Sequence, residues 1–387
     1  MNHLGEARNL VEEVFPKYFS HQAQTVVCAP GRVNIIGEHT DYNDGFVLPA
    51  AIQFYTAIAV SPRTDSFVEA VALDHNAQRV RINLQKSIVN NKDAPWSDYL
   101  AGVLQEFQKH GFTLSGMNLL ISGNVPQGAG LSSSASFEIA IAAAINTINQ
   151  LGIHGRDAAL IGQAAENNFV GCRCGIMDQL VSAMGKKEQA MLLDCRSLEP
   201  TFYSIPADLR LLIINSNVKR GLVGSEYNLR RQQCEDAAAW FEVSALRDIS
   251  IEQLKQAEGK LDETVYKRAR HVVTENQRTI EAAKAMAAGD VKKLSRLMAE
   301  SHQSMRDDFA ITVPAIDTLV EIVSEVLGSN GGVRMTGGGF GGCVVALVPL
   351  SFIHKVTEHV AKEYEKRSGL QETVYICEAA DGGFADS

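Results

Sequence analysis

The chain lacks several things, and each absence excludes a class of protein. None of its 387 residues fall in an uninterrupted apolar run of about eighteen, so no membrane-spanning helix is expected. Basic residues are not in excess. The formal net charge of −9 disfavours a nucleic-acid surface, though it leaves room for a local anion site. The seven cysteines (Cys28, Cys172, Cys174, Cys195, Cys234, Cys343 and Cys377) are scattered and odd in number. Cys172 and Cys174 stand too close for a zinc knuckle of the usual spacing, so free thiols in a reducing cytoplasm are expected. The first residues, MNHLGEARNLVEEVF, carry acids and no apolar core segment, so a secretory signal is not expected. There is no internal repeat, low-complexity run or Pro/Ser linker. No segment fits the G-x-x-x-x-G-K-[ST] phosphate loop.

What is present is a globular composition, 45% hydrophobic and 21% charged, in a chain long enough for two domains. Residues 24–36 and 46–60 read as strands around a turn, 67–84 as one or two more, and 116–123 as another. Residues 97–110 and 156–170 read as helices. Phe137, Ile141, Ile145, Ile148 and Leu151 recur at helical spacing and predict a helix with one buried face. Residues 189–194 and 210–216 read as strands. The segment EPTFYSIPADL at 199–209, with two prolines, is the expected crossing between domains 1–205 and 206–387. Charged amphipathic helices follow between 225 and 327. A glycine-rich turn and an apolar strand close the span 331–348. Strands and helices mix without a regular βαβ period, which predicts an α+β fold rather than a doubly wound sheet.

The stretch PQGAGLSSSASFE at 126–138 runs glycines and serines into a helix, yet holds no lysine or arginine. Glycines admit a ligand close to the backbone, and a helix start offers unpaired N–H groups with about half a positive charge. The serine hydroxyls can donate to phosphate or ligate Mg²⁺. A plain serine N-cap after a turn is equally compatible with the stretch alone. Gly337, Gly339 and Gly342 in TGGGFGGC fit the dinucleotide fingerprint formally, but a strand follows them instead of a helix.

Three separated segments narrow the choice. GRVNIIGEHTDYNDG at 31–45, PQGAGLSSSA at 126–135 and RMTGGGFGGCVVALV at 334–348 together resemble the three motifs of the GHMP family of small-molecule kinases. The first looks like the signature of its galactokinase branch, as do CGIMDQ at 174–179 and SEYNLRRQQCE at 225–235. The resemblance implies a two-domain α+β fold with the active site in the cleft between the domains. It also implies ATP as co-substrate and phosphorylation of the anomeric hydroxyl of D-galactose in the cytoplasm. No nucleic acid or membrane partner is expected, and the chain is expected to be a monomer or weak homo-oligomer.

By the same resemblance, Asp178 is the catalytic carboxylate and Arg32 its partner. Without it, an isolated aspartate is usually a cap or a turn residue, although the mostly apolar setting of CGIMDQ can place a carboxylate as a general base. Glu38, His39, Thr40, Asp41, Gly175, Asp178 and Tyr227 are expected to hold the sugar. Gly128, Ala129, Gly130, Leu131, Ser132, Ser133 and Ser134 are expected to form the phosphate cradle. Trp96 and Tyr99 are the expected wall of an adenine pocket, and the third motif is expected to approach cradle and sugar. Glu166 with Ser134, or its rival Ser133, is expected to hold Mg²⁺, which needs few protein ligands. Competing readings are a kinase for a related sugar such as N-acetylgalactosamine, a catalytically silent sugar sensor, and a nucleotide-dependent dehydrogenase. The intact Ser134-Ala135, Arg32 and Asp178 favour the enzyme over the sensor.

Overall fold

The computed structural model describes residues 3–218 and 223–385. β-Branched and apolar runs in the first half form β1 (Thr25–Asn34), β2 (Phe46–Val47), β3 (Pro49–Pro62), β4 (Phe67–Ala72), β5 (Gln78–Asn83) and β6 (Met117–Gly123). Five of them make one sheet in the order β1-β3-β6-β4-β5. Its pairs are antiparallel except β4 with β6. Helix α1 (His3–Phe19) covers one face. Helices α2 (Ser97–Lys109), α3 (Ser133–Asn149), α4 (Gly155–Ala165) and α5 (Met177–Met184) cover the other. Along β3, Ala57 and Ala59 face α1 while Ile58 and Val60 face the helices, the two-residue period of a strand buried on both sides. Strands β7 (Gln189–Asp194) and β8 (Glu199–Ser204) join β2 in a small second sheet.

The second half contributes β9 (Leu209–Asn215), α6 (Val223–Trp240), α7 (Ile251–Gln256), α8 (Glu263–Ala287), α9 (Val291–Ser304) and α10 (Pro314–Leu327). Strands β10 (Gly332–Thr336) and β11 (Cys343–Pro349), helix α11 (Ile353–Ser368) and strand β12 (Thr373–Cys377) complete it. Its sheet runs β10-β11-β9-β12, antiparallel throughout. One apolar core spans the two halves, joining Val33, Ile35 and Leu48 to Leu211, Ile213 and Val345. The end of the chain also returns to the first half: Ala380 N–H donates to Ala51 O at 3.0 Å, and Phe384 is buried in the first-half core.

The structure corrects the sequence reading in several places. The segment 199–209 is not all connection, because 199–204 form β8 on the outside of its sheet. There Pro200 needs no ladder N–H. The helix expected over 156–170 is α-helical to Ala165 and then opens into a π-helical turn at Glu166–Val170. The span 331–348 holds β10 before the glycine turn as well as β11 after it. Helices α1, α5 and α11 and strand β12 had no sequence expectation.

Candidate active site

Each catalytic candidate stands at the end of an element. β1 shifts register between Pro30 and Gly31, directly before Arg32. Such an irregularity re-aims the side chain that follows. Arg32 forms a two-pronged pair with Asp178 in the first turn of α5: Nε donates to Oδ1 at 2.7 Å and Nη2 to Oδ2 at 2.6 Å. Its third arm, Nη1, donates to Gly130 O at 2.6 Å. Burial opposes the Arg32 charge, but Asp178, Glu38 and Asp41 more than offset it and raise its pKa.

The glycine-serine stretch is not a simple capped helix start. Gly128, Gly130 and Ser132 all have positive φ, so the loop turns sharply before α3. Ser132 holds the N-cap position yet makes no cap bond; its hydroxyl donates to Asp178 Oδ2. The N–H groups of the first turn of α3 therefore receive no bond from the N-cap side chain. Ala129 and Leu131 turn inward and are buried in the core shared by the halves. The third motif does approach the loop: a Cβ on Gly337 would lie 3.2 Å from Gly130 O.

On one side of this loop is a cavity of about 280 Å³. Arg32, Glu38, His39, Asp41, Glu166, Gly175, Asp178 and Tyr227 line it, with Cys172, Cys174, Met177, Gly337 and Gly338. Glu38 Oε1 accepts from Gly337 N at 2.8 Å and Thr336 Oγ1 at 3.2 Å, with Arg334 at 3.4 Å. His39 Nδ1 lies 2.7 Å from Tyr42 Oη. Burial, then His271, pushes the His39 pKa down to about 3, so the ring is neutral. Burial, then the Asp178 charge, pushes Asp41 up to about 7. Gly175 is required by close approach, because any Cβ there would overlap the Asp41 carboxylate. Tyr227, on α6, packs its ring 5.0 Å from that of His39.

Thr40 is placed differently. Its hydroxyl lies 2.7 Å from Phe46 O and 3.0 Å from Gly37 O, and it does not line the cavity. It ties the loop together from within.

On the other side of the loop is a cavity of about 310 Å³, lined by Trp96, Tyr99, Phe137, Ile121, Val125, Ser133 and Ser134 among others. Trp96 Nε1 donates to Gln78 Oε1 at 2.7 Å, which leaves its ring along the wall. Ser134, on this wall, also favours the charged form of Glu166, which lines the first cavity. Burial first, then Asp178, raises the Glu166 pKa. Of the described residues lining the first cavity, Arg32 is the cation, against Glu38, Asp41, Glu166 and Asp178. That imbalance suits a bound cation. Among the described residues no group of three or more His, Cys, Asp or Glu side chains is arranged to hold a metal. A cation here would rest on few protein oxygens.

Three regions match family models: residues 13–62 the galactokinase galactose-binding signature, 98–186 the GHMP kinase N-terminal domain, and 282–366 the GHMP kinase C-terminal domain. The structure is also similar to that of Lactococcus lactis galactokinase complexed with galactose. The TM-score is 0.90 and the identity 32%, over 97% of this chain and 98% of that one. The chain belongs to the galactokinase family of GHMP kinases. The Methanococcus jannaschii mevalonate kinase (TM-score 0.65, 17% identity, 92% of this chain and 98% of that one) shares the fold alone. So does a homoserine kinase from Cytophaga hutchinsonii (0.58, 14%, 94% and 98%).

The galactokinase site contains residues that the sequence reading did not single out. Gln179 Nε2 donates to Glu166 at 2.7 Å and to the fully buried Glu138 at 2.9 Å. Tyr42 carries His39, and Arg334 carries Glu38. Gln179 and Glu138 both sit inside quoted motifs. Only burial and contact mark them out, and neither is visible in a linear pattern.

Proposed function

We propose that this kinase transfers the γ-phosphoryl group of ATP to the anomeric hydroxyl of α-D-galactose, giving galactose 1-phosphate and ADP. That is the entry step of galactose catabolism through the Leloir pathway. The observation that carries the reading is convergence. The galactose signature, the glycine-serine loop, the third motif and the Arg32–Asp178 pair meet between two adjoining cavities.

The polar cavity takes the sugar. Glu38, His39, Asp41, Gly175 and Tyr227 offer it acceptors, a neutral imidazole and backbone. The apolar cavity takes the adenine against Trp96 and Tyr99. Backbone N–H groups of residues 128–134 and of the start of α3 take the phosphates. Glu166 and Ser134 would hold Mg²⁺, which supplies charge neutralisation to the triphosphate. Ser134 is preferred over Ser133 because it is the serine that favours the charged form of Glu166.

Phosphoryl transfer leaves the protein little covalent chemistry beyond positioning and charge. Asp178 orients the sugar hydroxyl and accepts its proton. Arg32 holds Asp178 in place through two bonds and keeps a cation beside the transferring group. Thr40 supports the loop in place of touching sugar. The enzyme is proposed to act in the cytoplasm as a monomer or weak homo-oligomer.

The test is ADP release with Mg-ATP and a panel of hexoses. Release with galactose and not glucose is expected. Release with N-acetylgalactosamine in preference to galactose would overturn the choice of sugar. Galactose binding without release would make the chain a sensor.

A further inference from the structure

The sugar loop is not self-supporting. Within three residues it places Gly37 at φ 98° and His39 at φ 59°. A non-glycine residue in the left-handed region persists only where its surroundings hold it. Those surroundings come from the other half of the molecule. Along one side of α8, Glu275 Oε1 accepts from Gly37 N at 3.0 Å, and Asn276 Oδ1 accepts from Phe46 N at 2.9 Å. One turn earlier, His271 Nε2–H donates to Glu38 O at 3.0 Å. The three residues, at i, i+4 and i+5 of one helix, therefore hold both ends of the loop by its backbone. Glu275 is fully buried and itself held, by Ser301 Oγ at 2.6 Å and Arg278 Nε at 2.7 Å. None of these α8 side chains lines either cavity.

We infer that Glu275, seconded by Asn276, is a positioning residue for the sugar: it acts through the backbone of Gly37 and Phe46 to set Glu38, His39 and Asp41. The inference rests on the proposed sugar-binding role of that loop. It makes sugar affinity depend on the packing of the second half against the first. The nucleotide cavity draws its lining from the first half alone, so ATP affinity does not share that dependence.

The test is a split in kinetic constants for the full-length enzyme. Losing one hydrogen bond to a charged group predicts a rise of about tenfold or more in the galactose KM of Glu275→Ala, with the ATP KM within about twofold. Asn276→Ala removes a neutral bond and predicts a rise of about threefold. Glu275→Gln keeps an acceptor for Gly37 N and is expected to recover much of the loss. A merely structural role would reduce the amount of active enzyme, and hence apparent kcat, without moving one KM alone. An unchanged galactose KM in a folded Glu275→Ala, or an equal rise in both KM values, overturns the inference. Should Glu275→Ala fail to fold, an unchanged galactose KM in Asn276→Ala does so. Glu38→Gln separates the two levels. If Glu38→Gln leaves the galactose KM unchanged, the sugar-loop reading falls and the inference falls with it. If Glu38→Gln raises the KM and the α8 variants do not, only the inference fails.

Discussion

The two cavities on either side of the glycine-serine loop are built on opposite principles. The cavity proposed for the nucleotide is walled by Trp96, Tyr99, Phe137, Ile121 and Val125, all from the first half, and is continuous with that half's apolar core. The cavity proposed for the sugar gathers, among the described residues, four carboxylates around one arginine and draws its wall from both halves. The difference is one of cost. An apolar wall forms wherever a core reaches the surface. A buried carboxylate has to be given partners, and here those partners come from distant segments: Gly337 and Arg334 for Glu38, Arg32 for Asp178, Gln179 for Glu166.

The contrast breaks most sharply at Asp178. Asp178→Asn, which keeps the shape and leaves Arg32 an acceptor, is expected to lower kcat about 10³-fold in an ADP-release assay. Circular dichroism should show the fold intact. Turnover near that of the parent would remove Asp178 from its role. Glu166→Gln should come next, raising the Mg²⁺ needed for half-maximal rate about tenfold or more, as read by titration at fixed ATP. An unchanged metal requirement would move the cation site elsewhere.

On the apolar side, Trp96→Ala is expected to raise the ATP KM about tenfold, the value of one aromatic contact, while the galactose KM stays put. If both rise, the cavities are not independent.

The smallest effect is on stability. Burial lifts the Asp41 pKa from 3.8 to about 7, so across that window the folded protein keeps a proton that the unfolded chain gives up. Folded stability is thus lost relative to a neutral side chain as pH rises from about 4 to 7. Thermal melts of Asp41→Asn against the parent should differ little at pH 4 and by a few degrees at pH 8, the variant being higher. A difference that shrinks with pH would refute the desolvated carboxylate.

Legibility followed the same divide. Arg32, Glu38 and Asp41 stood in a motif dense with polar residues, Asp178 in a mostly apolar one, and all four converge on one cavity. Thr40, in the same motif, bonds backbone instead. Adjacency in a turn does not tell which side chain points outward. Strand β10 was hidden because GVRMT is short and runs into a glycine cluster, and it became a strand by pairing with β11. Glu138, Glu275 and His271 would pass for solvated helix residues in the linear chain. Their burial follows from what packs against them.

The sequence alone determined the local terms. It set the positive-φ glycines, the helix that starts among the serines, the two-sided apolar period of the central strands and the absence of a lysine in the glycine-serine stretch. These need only nearest neighbours along the chain. The tertiary structure decided which serine serves Asp178: it is Ser132. It also decided that α8 holds the 37–46 loop, with Glu275 standing 238 positions after Gly37. A hydrogen bond across that separation depends on two sheets and a shared core being in place first, and no local pattern encodes it.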